Sequence, residues 1–106
     1  MNPTRLEKLR EMEAQKPDDP FFKYAIAIEH ISAGNDAAAR PYFELLTEQH
    51  PDYVATYLHL GQLYERLGEY DNCLKTYRKG IEVATKTGDK KALNELNEAF
   101  FIADSE

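Results

Sequence analysis

This sequence predicts an all-α fold of about six antiparallel helices, built from one helix–turn–helix unit used twice. Two observations carry that expectation. A shift of 34 residues lays Pro17 on Pro51, Ala25 on His59, Ile26 on Leu60, Ala27 on Gly61, Gly34 on Gly68 and Phe43 on Tyr77. Small, aromatic and helix-breaking residues recurring at one interval imply one supersecondary unit laid beside its copy, and 34 is the length of a helix–turn–helix repeat. The apolar residues also recur at helical spacing, and no stretch stands out as a strand.

The elements follow in order. Thr4-Arg5-Leu6-Glu7 reads as a capping box, Thr4 accepting from the third backbone N–H and Glu7 reaching back. The helix it opens, residues 4–16, sets Leu6, Leu9, Met12 and Ala14 to one side, and Pro17 stops it. Asp19 is the next N-cap, with Pro20 in the first turn where its missing N–H costs nothing. From Pro20 to Ala33 the chain is apolar nearly all round, as in a helix buried on more than one side. Gly34 ends it in a left-handed cap, Asn35-Asp36 turns, and a second helix covers about 37–48. Pro41 removes a backbone bond inside that helix and is expected to bend its first turn. His50-Pro51-Asp52 closes the pair.

The next pair has helices at 53–67 and 71–86, with Gly68-Glu69-Tyr70-Asp71 between them. Thr87-Gly88-Asp89 breaks the chain, and Asp89 caps a last helix over 90–103. Leu93, Leu96, Phe100 and Ala103 form a stripe toward the preceding pair, while Lys90, Asn94, Asn97 and Glu98 form a polar face. Phe101 and Ile102 are left exposed. An array of repeats needs such an end helix, because an uncovered repeat leaves apolar area in water.

Charge and composition exclude several function classes. With 19 acidic and 13 basic residues the formal charge is −6, and no basic run exceeds Lys90-Lys91. Nucleic acid is therefore not expected as a partner, since a polyanion ligand needs a basic face. The single cysteine, Cys73, cannot close an internal disulfide and suits a reducing compartment, here the cytoplasm. The N-terminal residues lack an apolar signal core, and the longest apolar stretch, Tyr24 to Ile28, is far too short for a membrane span. Cys73 lies beside Asp71 and Asn72 with no base adjacent, which gives it a packing role and not a nucleophile's. His30, His50 and His59 do not pair at helical spacing, and the acids are spread along the chain as a solvated face. Gly61 and Gly68 lie within and after a helix, away from any phosphate-cradling loop. No catalytic site, metal or cofactor is expected.

Tyr57-x-x-Leu60-Gly61-x-x-Tyr64, followed by Gly68-x-Tyr70, Cys73, Tyr77 and Gly80, closely resembles a tetratricopeptide repeat. Gly61 would sit where the two helices cross closest, and Cys73 and Gly80 take places the family gives to alanine. The preceding segment is similar more loosely, through Ile26-Ala27, His30, Gly34, Ala39, Phe43, Leu46 and Pro51. Lys23 occupies the place of the first aromatic, and Phe22 is expected to fill that volume. Pro17 matches the family's closing proline, and none follows Val83-Ala84. The resemblance implies one domain: an N-terminal helix at 4–16, repeats at 20–53 and 54–86, and a capping helix at 90–103, stacked in a right-handed superhelix.

In this family the first helices of successive repeats line a concave groove for peptides or partner helices. By position, the groove would hold Phe21, Tyr24, Ile28 and Ile31 from the first repeat. From the second it would hold Leu58, His59, Gln62 and Glu65, with Ala55 at the end. The implied function is a non-catalytic scaffold binding a protein or peptide partner. Repeats that grip the C-terminal carboxylate of heat-shock chaperones place a lysine and two asparagines where this chain has Tyr24, Ile28 and His59, so that ligand is not expected. Two alternatives stay open: the N-terminal helix folding over Tyr24, Ile28 and Ile31, and homodimerisation through that strip or the Phe100-Phe101 end.

Overall fold

The structure, a computed structural model, describes residues 3–105, with side chains from Arg5 onward. Every regular element among the described residues is helical: α1 (Pro3–Gln15), α2 (Pro20–Ser32), α3 (Asp36–Gln49), α4 (Ala55–Arg66), α5 (Tyr70–Thr87) and α6 (Lys90–Asp104). They gather into two compact units, Met1–His50 holding α1 to α3 and Pro51–Glu106 holding α4 to α6.

The same chemistry closes three of the helices. Gly34 donates to the Ile31 carbonyl and Asn35 to that of His30; Gly68 donates to Glu65 and Glu69 to Tyr64. These two bond pairs are the same pair 34 residues apart, and Gly88 and Asp89 repeat it on Thr85 and Ala84. The pattern satisfies carbonyls that a helix end leaves without partners. It requires a left-handed residue, and Gly34 and Gly68 supply it with φ of 74° and 76°. Asn35 and Asp89 then start the following helices, their side chains accepting from the backbone N–H of Ala38 and Ala92. Asp19 does the same for Phe21 at 3.0 Å, as expected. One residue thus ends a helix and begins the next, which is why the turns are so short.

In the first unit α2 packs on α1 and α3. Leu6 and Leu9 of α1 meet Phe22, Ala25 and Ile26, with Tyr42 of α3 alongside. The expected rotation of α1 is corrected here. Met12 is 46% exposed and Ala14 is also exposed. Glu13 turns inward instead, 3.4 Å from the Lys23 ammonium. The helix begins at Pro3, which puts Thr4 inside it; the Thr4 side chain of the expected capping box lies outside the described residues.

Lys23 differs most from expectation. It is 7% exposed and donates from Nζ to the Pro17 carbonyl at 2.9 Å. One repeat later, the Tyr57 hydroxyl donates to the carbonyl of Pro51. Lysine and tyrosine therefore do one job at matching places, tying a first helix to the proline that precedes it. Phe22 does not stand in for the missing aromatic; it belongs to the core shared with α1.

In the second unit α5 packs on both α4 and α6. A Cβ built at Gly61 would land in the Tyr77 ring, so the α4–α5 crossing leaves no room for a side chain. The matching residues of the first unit, Ala27 and Phe43, are fully buried. A Cβ at Gly80 would lie 2.6 Å from Tyr57 Cβ and 3.0 Å from a Leu96 methyl, so this glycine brings α4, α5 and α6 together. Leu96 and Ala103 of α6 are buried and Leu93 and Phe100 half-buried, as the stripe predicts. Burying a residue such as Leu96 contributes about 1.5–3 kcal/mol. The Arg78 guanidinium lies 5.1 Å from the Phe100 ring centroid. Phe101 and Ile102 are 72% and 53% exposed.

Candidate functional site

The faces of α2 are divided between packing and solvent. With 3.6 residues per turn, Phe22, Ala25, Ile26 and Glu29 lie on one side of the helix and Tyr24, Ile28 and Ile31 on roughly the opposite one. α1 takes the first side, through its apolar cluster and the Arg5–Glu29 ion pair. It does not gather Tyr24, Ile28 or Ile31 into that cluster, which removes the reading of α1 as a lid over them. Those three side chains are half-buried, Tyr24 with its ring edge-on to Phe43 at 6.3 Å between centroids, and Phe21 is exposed.

In the second unit the expected residues divide differently. Leu58 and Gln62 of α4 face Glu95, Glu98, Ala99 and Ile102 of α6 across a cleft of about 290 Å³. Leu58, Ala99 and Ile102 give its lining aliphatic area, and Glu95, Glu98 and Gln62 add two carboxylates and an amide. His59 is half-buried near this edge. Burial, then the Arg66 charge, lowers its pKa below 6.5, while Glu95 pulls it upward. Glu65 has another commitment. It hydrogen-bonds with the Tyr77 hydroxyl, whose pKa burial first, and then Cys73 and Glu65, push far above the ordinary value. Glu65 therefore helps to hold the α4–α5 contact.

Glu95, Glu98, Ala99 and Ile102 are the wall that the sequence reading missed. A signal was present: they recur at i, i+3, i+4 and i+7, one face of a helix. Cys73 is fully buried, and among the described residues no three histidine, cysteine or carboxylate side chains gather to hold a metal ion. No described helix is long and apolar enough to cross a membrane.

Comparison with known proteins settles what kind of scaffold carries this cleft. A tetratricopeptide repeat domain protein from Salinibacter ruber, solved by crystallography, is 49% identical, with a TM-score of 0.80 over 82% of this chain and 97% of its own. This chain belongs to the tetratricopeptide repeat family. The family's sequence model matches residues 54–87, which hold the Gly61 crossing and both helices around it. A TPR repeat-containing protein of Pseudomonas aeruginosa is 25% identical over 86% of this chain and 87% of its own. The TPR2B domain of yeast Sti1, solved in a complex with pHsp70, has a TM-score of 0.88 over 97% of this chain and 82% of its own. At 16% identity that likeness shows the shared fold.

Two histidines of this tetratricopeptide chain give a pH dependence. His30 stands where the second repeat has Tyr64; it stacks on Tyr42 at 6.0 Å and leaves its buried Nδ1 without a hydrogen-bond partner. Burial, then Arg10, lowers its pKa below 6.5. A histidine depressed on folding binds fewer protons folded than unfolded, so its contribution is fully present above 6.5 and is lost as pH falls toward the folded value. His59 acts in the same direction. The urea midpoint should fall between about pH 7.5 and pH 5, and His30→Gln should shrink that fall. An unchanged pH slope in the variant would remove His30 from the account.

Proposed function

We propose that this protein captures a peptide or helix of a partner protein and performs no chemistry itself. The observation that carries the reading is the α4–α6 cleft, where Leu58, Ala99 and Ile102 line the space together with polar side chains, on a scaffold of this family. Within the first unit the exposed and half-buried strip Phe21, Tyr24, Ile28 and Ile31 on α2 is a separate candidate contact, and in the second unit His59 and Gln62 would set register by hydrogen bonding. The formal charge of −6 argues against a polyanion ligand, and the buried lone thiol of Cys73 suits a reducing, cytoplasmic setting.

The test is quantitative affinity capture from native lysate by wild type, by Tyr24→Ala with Ile28→Ala, and by Leu58→Ala with Ile102→Ala. Loss of two anchors should reduce a genuine partner about tenfold or more while the circular dichroism stays helical. Equal capture by all three proteins would end the reading.

A second reading has its own observation. Phe101 and Ile102, more than half exposed on α6, suit a homodimer contact. Light scattering separates the two readings: a mass near 12.2 kDa at every concentration excludes the dimer.

A further inference from the structure

The α4–α6 cleft has a sign of charge, and we infer from it that the segment it takes is basic and amphipathic. The segment would seat an aliphatic side chain between Leu58 and Ile102 and set lysine or arginine against Glu95 and Glu98. This rests on the peptide-binding reading above and names the chemistry of its partner.

Three observations carry the inference. The lining is Leu58, Gln62, Glu95, Glu98, Ala99 and Ile102, with two carboxylates and no cationic side chain. Five acids elsewhere sit against a cation: Glu13 on Lys23, Glu29 on Arg5, Glu44 on Arg40, Asp52 on Lys86 and Glu82 on Lys79. Glu95 and Glu98 join no salt bridge among the described residues, although they stand three apart on one helix face where like charges repel each other. A cation set between them would relieve that repulsion. Leu58, Ala99 and Ile102 line the same cleft, with Ile102 half in water, so the cleft gives a partner an apolar contact and a charge contact side by side.

Electrostatics also disfavours the competing occupants, and light scattering tests the second copy directly. A C-terminal carboxylate or an acidic segment would meet two like charges in the cleft. A second copy of this chain carries the same charge of −6 and approaches against repulsion. A basic segment is drawn in, and because both carboxylates are exposed, its affinity falls as salt screens them.

The experiment is display selection from a random dodecapeptide library on the full chain, counter-selected against Leu58→Glu with Ile102→Glu, both proteins checked for helicity. Enrichment of lysine and arginine beside aliphatic residues is the expected result. Such winners should lose about threefold to tenfold in affinity on Glu95→Gln with Glu98→Gln at low salt, and less at high salt. Cleft-dependent winners that are neutral or acidic would overturn the charge inference and leave peptide binding standing. Recovery of no peptide that distinguishes wild type from the cleft variant would overturn both.

Discussion

Replacing Gly61 by alanine should lower the free energy of unfolding, although alanine is the better helix former. In an open helix interior the exchange stabilises by about 1 kcal/mol. Here the added methyl falls within the Tyr77 ring. That ring is buried, and its hydroxyl is held by Cys73 and Glu65, so it has nowhere to turn. Relief must come from parting α4 and α5, and overpacking of this kind costs about 1–3 kcal/mol. Set against the propensity gain of about 1 kcal/mol, the net loss should reach up to about 2 kcal/mol, read as a lower urea midpoint at unchanged slope. An alanine variant as stable as wild type would mean that the crossing has slack and that Gly61 does not set the spacing of the second hairpin.

Lys23→Met should cost about 1.5–3 kcal/mol, the range for a hydrogen bond from a charged group. Methionine keeps most of the aliphatic stem, so the loss isolates the ammonium. That group donates to the Pro17 carbonyl at 2.9 Å and lies 3.4 Å from Glu13, joining the end of α1 to the body of α2. With the side chain almost fully buried, salt should screen the effect only weakly. Equilibrium unfolding of variant and wild type at low and high salt measures both statements. A variant indistinguishable from wild type would show that the buried ammonium is tolerated and not used.

What could be read in the sequence was what local chemistry decides. Gly34 and Gly68 had to end their helices because the closing bond pair needs a left-handed residue, and Asp19 and Asp89 had to begin theirs because a short carboxylate reaches the first free N–H groups. Ala27 and Gly61 were legible because a fixed interval exposes equivalent crossings. The rotation of α1 was not, since few apolar residues in one short helix fix its facing weakly. The distant Glu13–Lys23 contact decides it and leaves Met12 outside.

Lys23 itself was read as an interruption because lysine seldom lies buried. It is held there by a turn carbonyl whose position no sequence pattern gives. The cleft was half legible. Repeat register picked out Leu58 and Gln62, whereas Glu95 and Glu98 looked like part of a solvated face. They are in fact exposed; what makes them part of a cleft is the approach of α6 where Leu96 meets Gly80, and that approach is tertiary.

The claim that one hairpin plan is used twice is tested most directly by the unfolding free energy of Lys23→Tyr set beside that of Lys23→Met. Tyrosine is what the second hairpin uses at this place, its hydroxyl on the Pro51 carbonyl. Lys23→Tyr should therefore bind the Pro17 carbonyl and stay within about 1 kcal/mol of wild type, while Lys23→Met loses about 1.5–3 kcal/mol. A tyrosine variant as unstable as the methionine variant, or less stable, would contradict the equivalence of the two hairpins.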